Sequence, residues 1–299
     1  MRIAACLGVK DEVELIEKSI AHLRQIGIDF ILVYDVSSTD GTSELLEKYR
    51  CDRDFWILRL DDQSPDELET WTRAILALIK SVGADWVVFL DADEFWIPAT
   101  GSLKDCASLA ESDALSVERL NIPMTSSGPA MPRDLVPQNY DQLLFYVNRV
   151  ADLCAHMAND PAAVWIQGAA EDKAMARPER IGSIEIGTHN VFSADSIPLR
   201  RARPADLFIA HLPFTTLSRF KRKVANIRKV LRAQESHLED LAWHWRRWLD
   251  LADKGELDEE YNRSLLADDK ALELRRAGLL RTAAELFAEH GAPLAPLAR

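Results

Sequence analysis

Short apolar runs alternate with amphipathic segments along the first hundred residues. Residues 2–9 form an apolar run typical of a buried strand. From Asp11 onward, apolar residues recur every three or four positions, which predicts a helix that ends at Gly27. The alternation continues through apolar runs at 30–34, 55–58 and 86–90, with helices predicted from about 43 and from 65. Because strands that alternate with helices form a parallel sheet covered on both faces, the sequence predicts an α/β fold.

The remainder of the chain follows a different pattern. Residues 125–137 are rich in Pro, Ser and Gly and predict a long loop, whereas 145–147 and 184–191 predict strands. From about Leu217 the apolar spacing is helical almost to the end, and it predicts helices over 217–231, 238–248 and 268–288. We therefore expect an α/β domain over residues 1–215 and a helical extension over residues 216–299.

Two of the predicted buried strands are followed directly by aspartate. Asp35 comes after the second strand, and Asp91 and Asp93 come after the fourth. Ligands of parallel α/β sheets bind at the carboxyl ends of the strands. Two carboxylates in Asp-Ala-Asp can bind one Mg²⁺ or Mn²⁺ ion, which also relieves their mutual repulsion. An isolated Asp-x-Asp more often has no such role, but the apolar strand before this one favours a metal site.

The loop after the second strand, with the sequence DVSSTDGT from Asp35 to Thr42, permits two interpretations. A carboxylate at a strand end can accept hydrogen bonds from a ribose or a base. Alternatively, the polar residues form a turn that caps the next helix. The first strand is not followed by a Gly-x-Gly-x-x-Gly or a Walker sequence, which argues against a dinucleotide dehydrogenase and a P-loop enzyme.

Composition and charge narrow the class of protein. The chain is 47% hydrophobic and 28% charged, a mixture typical of a globular fold. Its formal net charge of -12 argues against a general nucleic-acid binder. The four cysteines are widely spaced, so neither a disulfide framework nor a structural zinc site is indicated. No apolar run approaches the roughly 20 residues of a membrane span, and we expect a cytoplasmic protein.

Several of these motifs together resemble a known family. The Lys10-Asp11-Glu12 segment, the DVSSTDGT loop and the DADEF strand end occur in the order and approximate spacing of family 2-type glycosyltransferases with the GT-A fold. The segments EDKAMARPERI, GTHNV and HLPFTTLSRFKRKVANI resemble the soluble bacterial branch that is related to family 92. The resemblance extends over about residues 2–230. It implies a Rossmann-like, mostly parallel sheet with a nucleotide-binding half over 1–98 and an acceptor-binding half over 99–215.

The resemblance also implies an activity and a donor site. It implies metal-dependent transfer of a sugar from a UDP-sugar to a hydroxyl group of a glycan or polysaccharide, with inversion. Asp35 would contact the uracil or ribose, with Ser37 in the same loop. Lys10 and Glu12 would lie nearby, and Asp91 would face the ribose or the metal.

The metal ligands and the base are carried over in the same way. Asp93 would bind the metal directly, and His189 is the first choice for the additional ligand. His211 is the second choice, with contact to the diphosphate as its other possible role. An imidazole among carboxylates suits Mn²⁺ better than Mg²⁺. The acidic pair Glu171-Asp172 resembles the pair that supplies the base in inverting members, although Lys173 follows and could pair with either carboxylate.

A basic segment and three tryptophans remain open to several interpretations. Residues 219–232 carry seven lysines and arginines without an acidic residue between them. They can form a solvated helix face, bring Lys223 to the diphosphate, or lie against anionic lipid at the inner membrane face. Trp243, Trp245 and Trp248 suit a membrane interface or helix packing equally well. The oligomeric state stays open.

Two other functions compete with glycosyl transfer. One is nucleotidyl transfer or nucleotide-sugar hydrolysis on a related fold, although Gly8-Val9-Lys10 is a poor match to the glycine-rich loop of nucleotidyltransferases. The other is a glycan-binding module without catalysis, against which the intact Asp91 and Asp93 argue.

Overall fold

The computed structural model describes residues 1–61, 65–147, 152–160, 163–233 and 243–292. The strands are β1 (Ile3–Val9), β2 (Phe30–Val36), β3 (Phe55–Leu60), β4 (Trp86–Asp91), β5 (Glu94–Pro98), β6 (Ala114–Val117), β7 (Arg119–Asn121), β8 (Met124–Thr125), β9 (Gly128–Pro129), β10 (Leu144–Tyr146), β11 (Lys173–Ala176), β12 (Ile181–Ile184), β13 (Val191–Ser193), β14 (Arg201–Ala202), β15 (Leu207–His211) and β16 (Leu280–Thr282). The helices are α1 (Ile16–Gln25), α2 (Thr42–Leu46), α3 (Pro65–Ser81), α4 (Leu153–Asn159), α5 (Leu217–Ala233), α6 (Trp243–Lys254), α7 (Leu257–Arg263), α8 (Asp268–Arg276) and α9 (Ala283–Glu289).

The central sheet has the strand order β14-β6-β11-β4-β1-β2-β3. Strands β4, β1, β2 and β3 run parallel, and β11 is antiparallel to both of its neighbours. Alternate residues of β1 face opposite sides, so Leu7 packs in the apolar cluster of Ile20 from α1 and Cys6 in that of Ile79 from α3. The predicted α/β fold, with a mostly parallel sheet covered by helices on both faces, is confirmed.

A second, three-stranded sheet carries polar residues to one place. It has the order β5-β15-β7, with β15 antiparallel to β5 and parallel to β7. The register pairs His211 with Glu94 on one side and with Asn121 on the other. These three polar residues therefore lie in one row across the sheet, and Glu94 directly follows the Asp91-Ala92-Asp93 turn.

The C-terminal segment packs against the rest of the chain. Helices α5, α6 and α7 share an apolar cluster in which Phe214, Phe220 and Trp248 make edge-to-face or tilted ring contacts. Strand β16 pairs with β10, and Phe287 of α9 contacts Phe208 of β15. A largely helical C-terminal segment is thus present, as predicted. Within the part of the chain that the structure describes, no helix combines the length and the apolar character needed to cross a membrane.

Three predicted elements differ from the structure, and two of them are interrupted by residues with positive φ. The predicted strand 184–191 is divided between β12 and β13, because Gly187 and Thr188 have φ of 79° and 58°. The predicted helix 268–288 is divided into α8, β16 and α9, since Gly278 with φ 73° ends α8. The predicted loop 125–137 begins in a short hairpin of β8 and β9. Part of the predicted helix 238–248 lies outside the described residues.

Candidate functional site

The loops after β1 and β2 are bound to each other at the carboxyl edge of the sheet. Asp11 and Ser37 adopt left-handed backbone conformations with φ of 58° and 49°, which are uncommon for residues other than glycine. Oδ1 of Asp11 accepts a hydrogen bond from the backbone N–H of Thr39 at 2.6 Å. Nζ of Lys10 donates to the carbonyl oxygen of Ser37 at 2.8 Å. Strained backbone held by such contacts is typical of functional sites.

Asp35 lies within this edge and is 1% exposed. Its carboxylate accepts hydrogen bonds from the backbone N–H of Ser38 at 3.1 Å, from Nη1 of Arg59 at 2.9 Å and from the Ser43 hydroxyl. Oγ of Ser37 donates to the carbonyl oxygen of Leu60 at 2.9 Å. Both side chains therefore shape the loop after β2, and the Asp35 carboxylate is joined to α2 through the hydroxyl of Ser43.

Asp93 is the centre of a buried charge cluster. Its Oδ2 atom lies 2.9 Å from Nη2 of Arg219 and 2.9 Å from Nζ of Lys223, both on α5. Arg219 also binds both carboxylate oxygens of Glu12, at 2.8 and 2.9 Å. Burial alone would raise the pKa of Asp93, but Lys223 and Arg219 outweigh it and hold that pKa well below its usual range. Asp93 is therefore ionised at neutral pH.

Glu94 and Asp91 are joined by cations from other strands. Oε1 of Glu94 lies 2.5 Å from Nη1 of Arg119 and 3.5 Å from Nζ of Lys173. Lys173 is 1% exposed, and its ammonium also donates to Oδ2 of Asp91 at 2.8 Å and to the carbonyl oxygen of Gly187 at 2.9 Å. Lys173 thus pairs with the strand-end carboxylates and not with either member of the Glu171-Asp172 pair.

His211 completes a candidate metal centre. Its Nε2 atom lies 3.9 Å from Oδ1 of Asp93, the oxygen that Arg219 and Lys223 do not contact. Burial, followed by the charge of nearby Arg119, holds the pKa of His211 well below its usual value, so the imidazole is neutral. Among the described residues, the one group of three acidic or imidazole side chains with ligand atoms within 4.8 Å of one another is Asp93, Glu94 and His211. A neutral imidazole beside a carboxylate is a donor set that fits Mn²⁺.

A second polar group borders a cleft of about 380 Å³. Nδ1 of His189 lies 2.9 Å from the carbonyl oxygen of Asp172, and its Nε2 lies 3.3 Å from Oε2 of Glu171. The Asp172 carboxylate accepts hydrogen bonds from Oγ of Ser116 at 2.8 Å and from Nη2 of Arg203 at 2.8 and 2.9 Å. The Glu171 side chain is 78% exposed and the Asp172 side chain 22%. Both residues line the cleft, and Glu171 has the carboxylate that is more exposed.

The structure gathers some of the predicted site residues and separates others. Lys223 and His211 lie beside Asp93, and Glu12 is joined to it through Arg219, whereas Asp91 pairs with Lys173. His189, the first choice for a metal ligand, does not belong to the group of Asp93, Glu94 and His211. The physical reason is that its ring is held by the Asp172 carbonyl and Glu171.

Three residues of the candidate site were not predicted as site residues from the sequence. They are Arg219, Glu94 and Asn121. Arg219 could have been found, because it precedes Lys223 by one helical turn in the basic segment. Glu94 directly follows the Asp-Ala-Asp motif and was also accessible. Asn121 has no local signal, since only the pairing of β7 with β15 brings it beside His211.

The basic segment on α5 is largely neutralised within the protein. Five of its cations form ion pairs, with Arg219 on Glu12 and Asp93, Lys221 on Asp258, Arg222 near Glu14, Lys223 on Asp93, and Arg228 on Asp253. Trp248 is buried in the helical cluster. In the described residues, these contacts favour a role in the site and in helix packing over a lipid-facing surface.

Comparison with known proteins adds the family. Crystal structures with a similar fold include S. aureus TarS residues 1–349 with UDP, at 20% identity and a TM-score of 0.33, covering 46% of this chain and 41% of that one. Another is glucosyl-3-phosphoglycerate synthase from Mycobacterium tuberculosis with Mn²⁺, UDP and glucosyl-3-phosphoglycerate, at 16% identity and a TM-score of 0.33, covering 63% and 62%. The chain thus spans less than two thirds of either structure. No curated protein sequence matches it.

The family assignment rests on the sequence profile and not on these distant structures. The profile of glycosyltransferase family 92 matches residues 3–243, which include both strand-end loops, the Asp-Ala-Asp turn, the Glu171-Asp172 pair and α5. This match covers well over half of the 299 residues. The chain belongs to glycosyltransferase family 92.

Proposed function

We propose that the protein transfers a sugar from a UDP-sugar to a hydroxyl group of a glycan or polysaccharide, with the help of a divalent metal. The observation that carries this proposal is the convergence of Asp93 and His211 at the carboxyl edge of the sheet, with Lys223 beside them. Asp93 and His211 would hold the ion, and Glu94 is the third member of their group. A bound Mn²⁺ would offset the negative charge of the diphosphate.

The donor site is proposed to lie across the loops after β1, β2 and β4. Because the carboxylate of Asp35 is buried and accepts three hydrogen bonds from its own chain, its role is to hold the loop against which the uracil and ribose bind. Glu12 holds Arg219, and Lys10 holds the Ser37 carbonyl. Lys223 reaches the diphosphate when it leaves Asp93, since its side chain is 30% exposed. The choice of UDP rests on the family resemblance of the first two loops.

The acceptor is proposed to bind in the cleft beside Glu171. Glu171 has an open carboxylate and can take the proton of an acceptor hydroxyl, whereas Asp172 is neutralised by Arg203. Inversion by a single displacement follows from the family resemblance. In this proposal residues 1–98 bind the nucleotide and 99–215 bind the acceptor. Helix α5 of the 216–299 extension supplies Arg219 and Lys223 to the donor site.

The ligand set is tested by exchanging the two candidate histidines separately. We expect His211→Gln to weaken Mn²⁺ binding by about 100-fold, because loss of an outer-shell partner alone costs about 10- to 100-fold. His189→Gln is the matched control and should leave Mn²⁺ affinity unchanged. Isothermal titration with Mn²⁺ in the presence of UDP measures both. An equal loss in the two variants, or a loss in His189→Gln alone, would contradict this ligand set.

The base is tested by neutralising each carboxylate of the acidic pair. We expect Glu171→Gln to lower turnover by about 10²-fold or more with little change in donor KM, since a positioned base contributes about 10²–10⁴-fold. Asp172→Asn should lower turnover less, because its partners Arg203 and Ser116 hold it away from proton transfer. Steady-state kinetics with saturating Mn²⁺ distinguishes the two. A larger loss in Asp172→Asn would assign the base to Asp172.

The reaction itself is tested by product analysis. Incubation with a panel of radiolabelled UDP-sugars, Mn²⁺ and glycan acceptors should give a labelled glycan and UDP. Release of free sugar without any labelled acceptor would instead identify a nucleotide-sugar hydrolase. Binding of UDP without turnover of any donor would identify a binding module.

A further inference from the structure

We propose that Asn121 is a positioning residue that fixes the neutral tautomer of His211, so that its Nε2 lone pair faces Asp93. The inference rests on the proposed metal-binding role of His211. It concerns an atom-level arrangement that exists in the protein before any metal binds.

The orientation of the Asn121 amide is determined by its own partners. Its Nδ2 atom lies 2.9 Å from the carbonyl oxygen of Ile166 and 3.1 Å from that of Gly168. A carbonyl oxygen can only accept, so the atom facing both must be the NH₂ group with its two donors. The reversed amide would place an oxygen against two oxygens. The Oδ1 atom of Asn121 therefore points the other way, toward His211.

The histidine tautomer follows from that orientation. Nδ1 of His211 lies 2.7 Å from Oδ1 of Asn121. Because this oxygen is an acceptor, Nδ1 must carry the proton, and in a neutral imidazole Nε2 then carries the lone pair. Nε2 is 3.9 Å from Oδ1 of Asp93, too far for a hydrogen bond, so this contact does not require a proton on Nε2. The ring is thus prepared to donate electrons to a cation.

The arrangement is rigid because it is buried in the second sheet. Asn121 is 3% exposed and His211 is 7% exposed. They are register partners on the adjacent strands β7 and β15, so the sheet fixes the separation of their backbones. The segment that includes Ile166 and Gly168 holds the amide from the other side. A histidine that binds a metal commonly donates its other N–H to such a partner, which orients the ring and raises its basicity.

A purely structural role for Asn121 makes a different prediction. If Asn121 served only to anchor Ile166 and Gly168, its removal would lower stability without changing the His211 tautomer. Two variants separate the roles. Asn121→Leu has a similar size but removes the acceptor for His211 and the donors for the two carbonyls. Asn121→Asp removes those donors while keeping an oxygen that accepts from Nδ1.

The experiment has a spectroscopic part on the metal-free protein. Long-range ¹H–¹⁵N correlation spectra report which ring nitrogen carries the proton, and His211→Gln identifies the His211 signals. We expect Nδ1–H in the wild type and in Asn121→Asp, and loss of this single tautomer in Asn121→Leu. A wild-type spectrum with the proton on Nε2 would overturn the inference without any variant.

The second part measures Mn²⁺ affinity by titration in the presence of UDP. Asn121→Leu should bind Mn²⁺ about 10- to 100-fold more weakly, the usual cost of losing an outer-shell partner. Asn121→Asp should bind it nearly as well as the wild type. An equal loss in both variants, with the tautomer intact in Asn121→Asp, would assign the effect to the 166–168 segment and overturn the proposed role.

The two proposals fail in different ways. A wild-type protein with Nδ1–H that shows no Mn²⁺ binding would remove the metal role of His211 while the tautomer assignment stands. A wild-type protein that binds Mn²⁺ but protonates Nε2 in the metal-free state would retain the metal site and remove the role of Asn121.

Discussion

Turnover of the Asp93→Asn variant is expected to be about 10³-fold lower than that of the wild type. Metal-ion stabilisation of developing charge supplies several kcal/mol to reactions of this kind, and each 1.4 kcal/mol corresponds to about a tenfold change in rate. Asn keeps the shape of Asp93 but removes its negative charge, and a neutral amide oxygen binds a divalent cation more weakly than a carboxylate does. The effect should appear in turnover and in Mn²⁺-dependent UDP binding together.

The matched control is Asp91→Asn, two residues earlier on the same turn. The Asp91 side chain is 51% exposed and pairs with Lys173, so its proposed contact is with the ribose. Loss of one charged hydrogen bond costs about 1.5–3 kcal/mol, and we expect a rise in donor KM of about 10- to 150-fold with turnover retained. Radiolabelled transfer assays over a range of Mn²⁺ and donor concentrations measure both variants.

Folding must be controlled in this comparison, because Asp93 neutralises Arg219 and Lys223. Urea unfolding of each variant gives the folded fraction, to which turnover is normalised. If folded Asp93→Asn turns over at a rate comparable to Asp91→Asn, the metal site proposed here does not operate.

The half of the fold that follows local periodicity was predictable from the sequence. Strands β1, β2 and β4 are continuous apolar runs buried on both faces, and the helix between β1 and β2 shows one apolar stripe. The second sheet was not predictable, since β5, β7 and β15 are distant in sequence and pair only in the folded chain. The prediction of one helix over 268–288 missed β16, whose three residues pair with β10, a strand that lies far earlier in the sequence.

The residues of the candidate site divide in the same way, into those with a local sequence signal and those placed only by the folded chain. Asp93 was accessible as a candidate ligand because an Asp-x-Asp after an apolar strand is a local signal, whereas the sequence carries no such signal that favours His211 over His189 as the proposed second ligand. Only the register of β15 on β5 brings His211 opposite Glu94. The charge of the basic segment on α5 was evident from the sequence. The direction in which its side chains point, however, depends on how the helix packs over the strand-end loops.

Arg219 has the largest expected effect on stability. It is 2% exposed and is the cation shared by Glu12 and Asp93, which belong to loops that follow different strands. Removal of one member of a buried ion pair typically costs about 3–5 kcal/mol, because the partner is left charged and unpaired. A domain has only about 5–15 kcal/mol of stability in total, so losing this contact would remove a large share of it.

We therefore expect Arg219→Met to lower the free energy of unfolding by about 3–5 kcal/mol at neutral pH. Methionine fills much of the same volume, so the loss reports charge and not a cavity. Urea unfolding measures it. Lys221→Met is the matched control on the same helix, since Lys221 is half exposed and pairs with Asp258 at the surface. Exposed pairs contribute about 0–1 kcal/mol, and that variant should unfold nearly as the wild type does.

The pH dependence gives the sign of the effect and identifies its origin. In the wild type, the lowered pKa of Asp93 contributes stability above the ordinary carboxylate pKa, and that stability is lost as the pH falls through the native-state value. Without Arg219, the negative charges of Glu12 and Asp93 are less compensated. Protonation at falling pH therefore reduces their repulsion in the variant before it affects the wild type. The difference in unfolding free energy between the wild type and Arg219→Met should shrink as the pH falls from neutral toward about 4.

Combining Arg219→Met with Glu12→Gln should recover part of the loss at neutral pH, because one uncompensated charge is removed. A pH-independent deficit that Glu12→Gln does not reduce would mean that Arg219 stabilises the fold through packing and not by joining these two carboxylates.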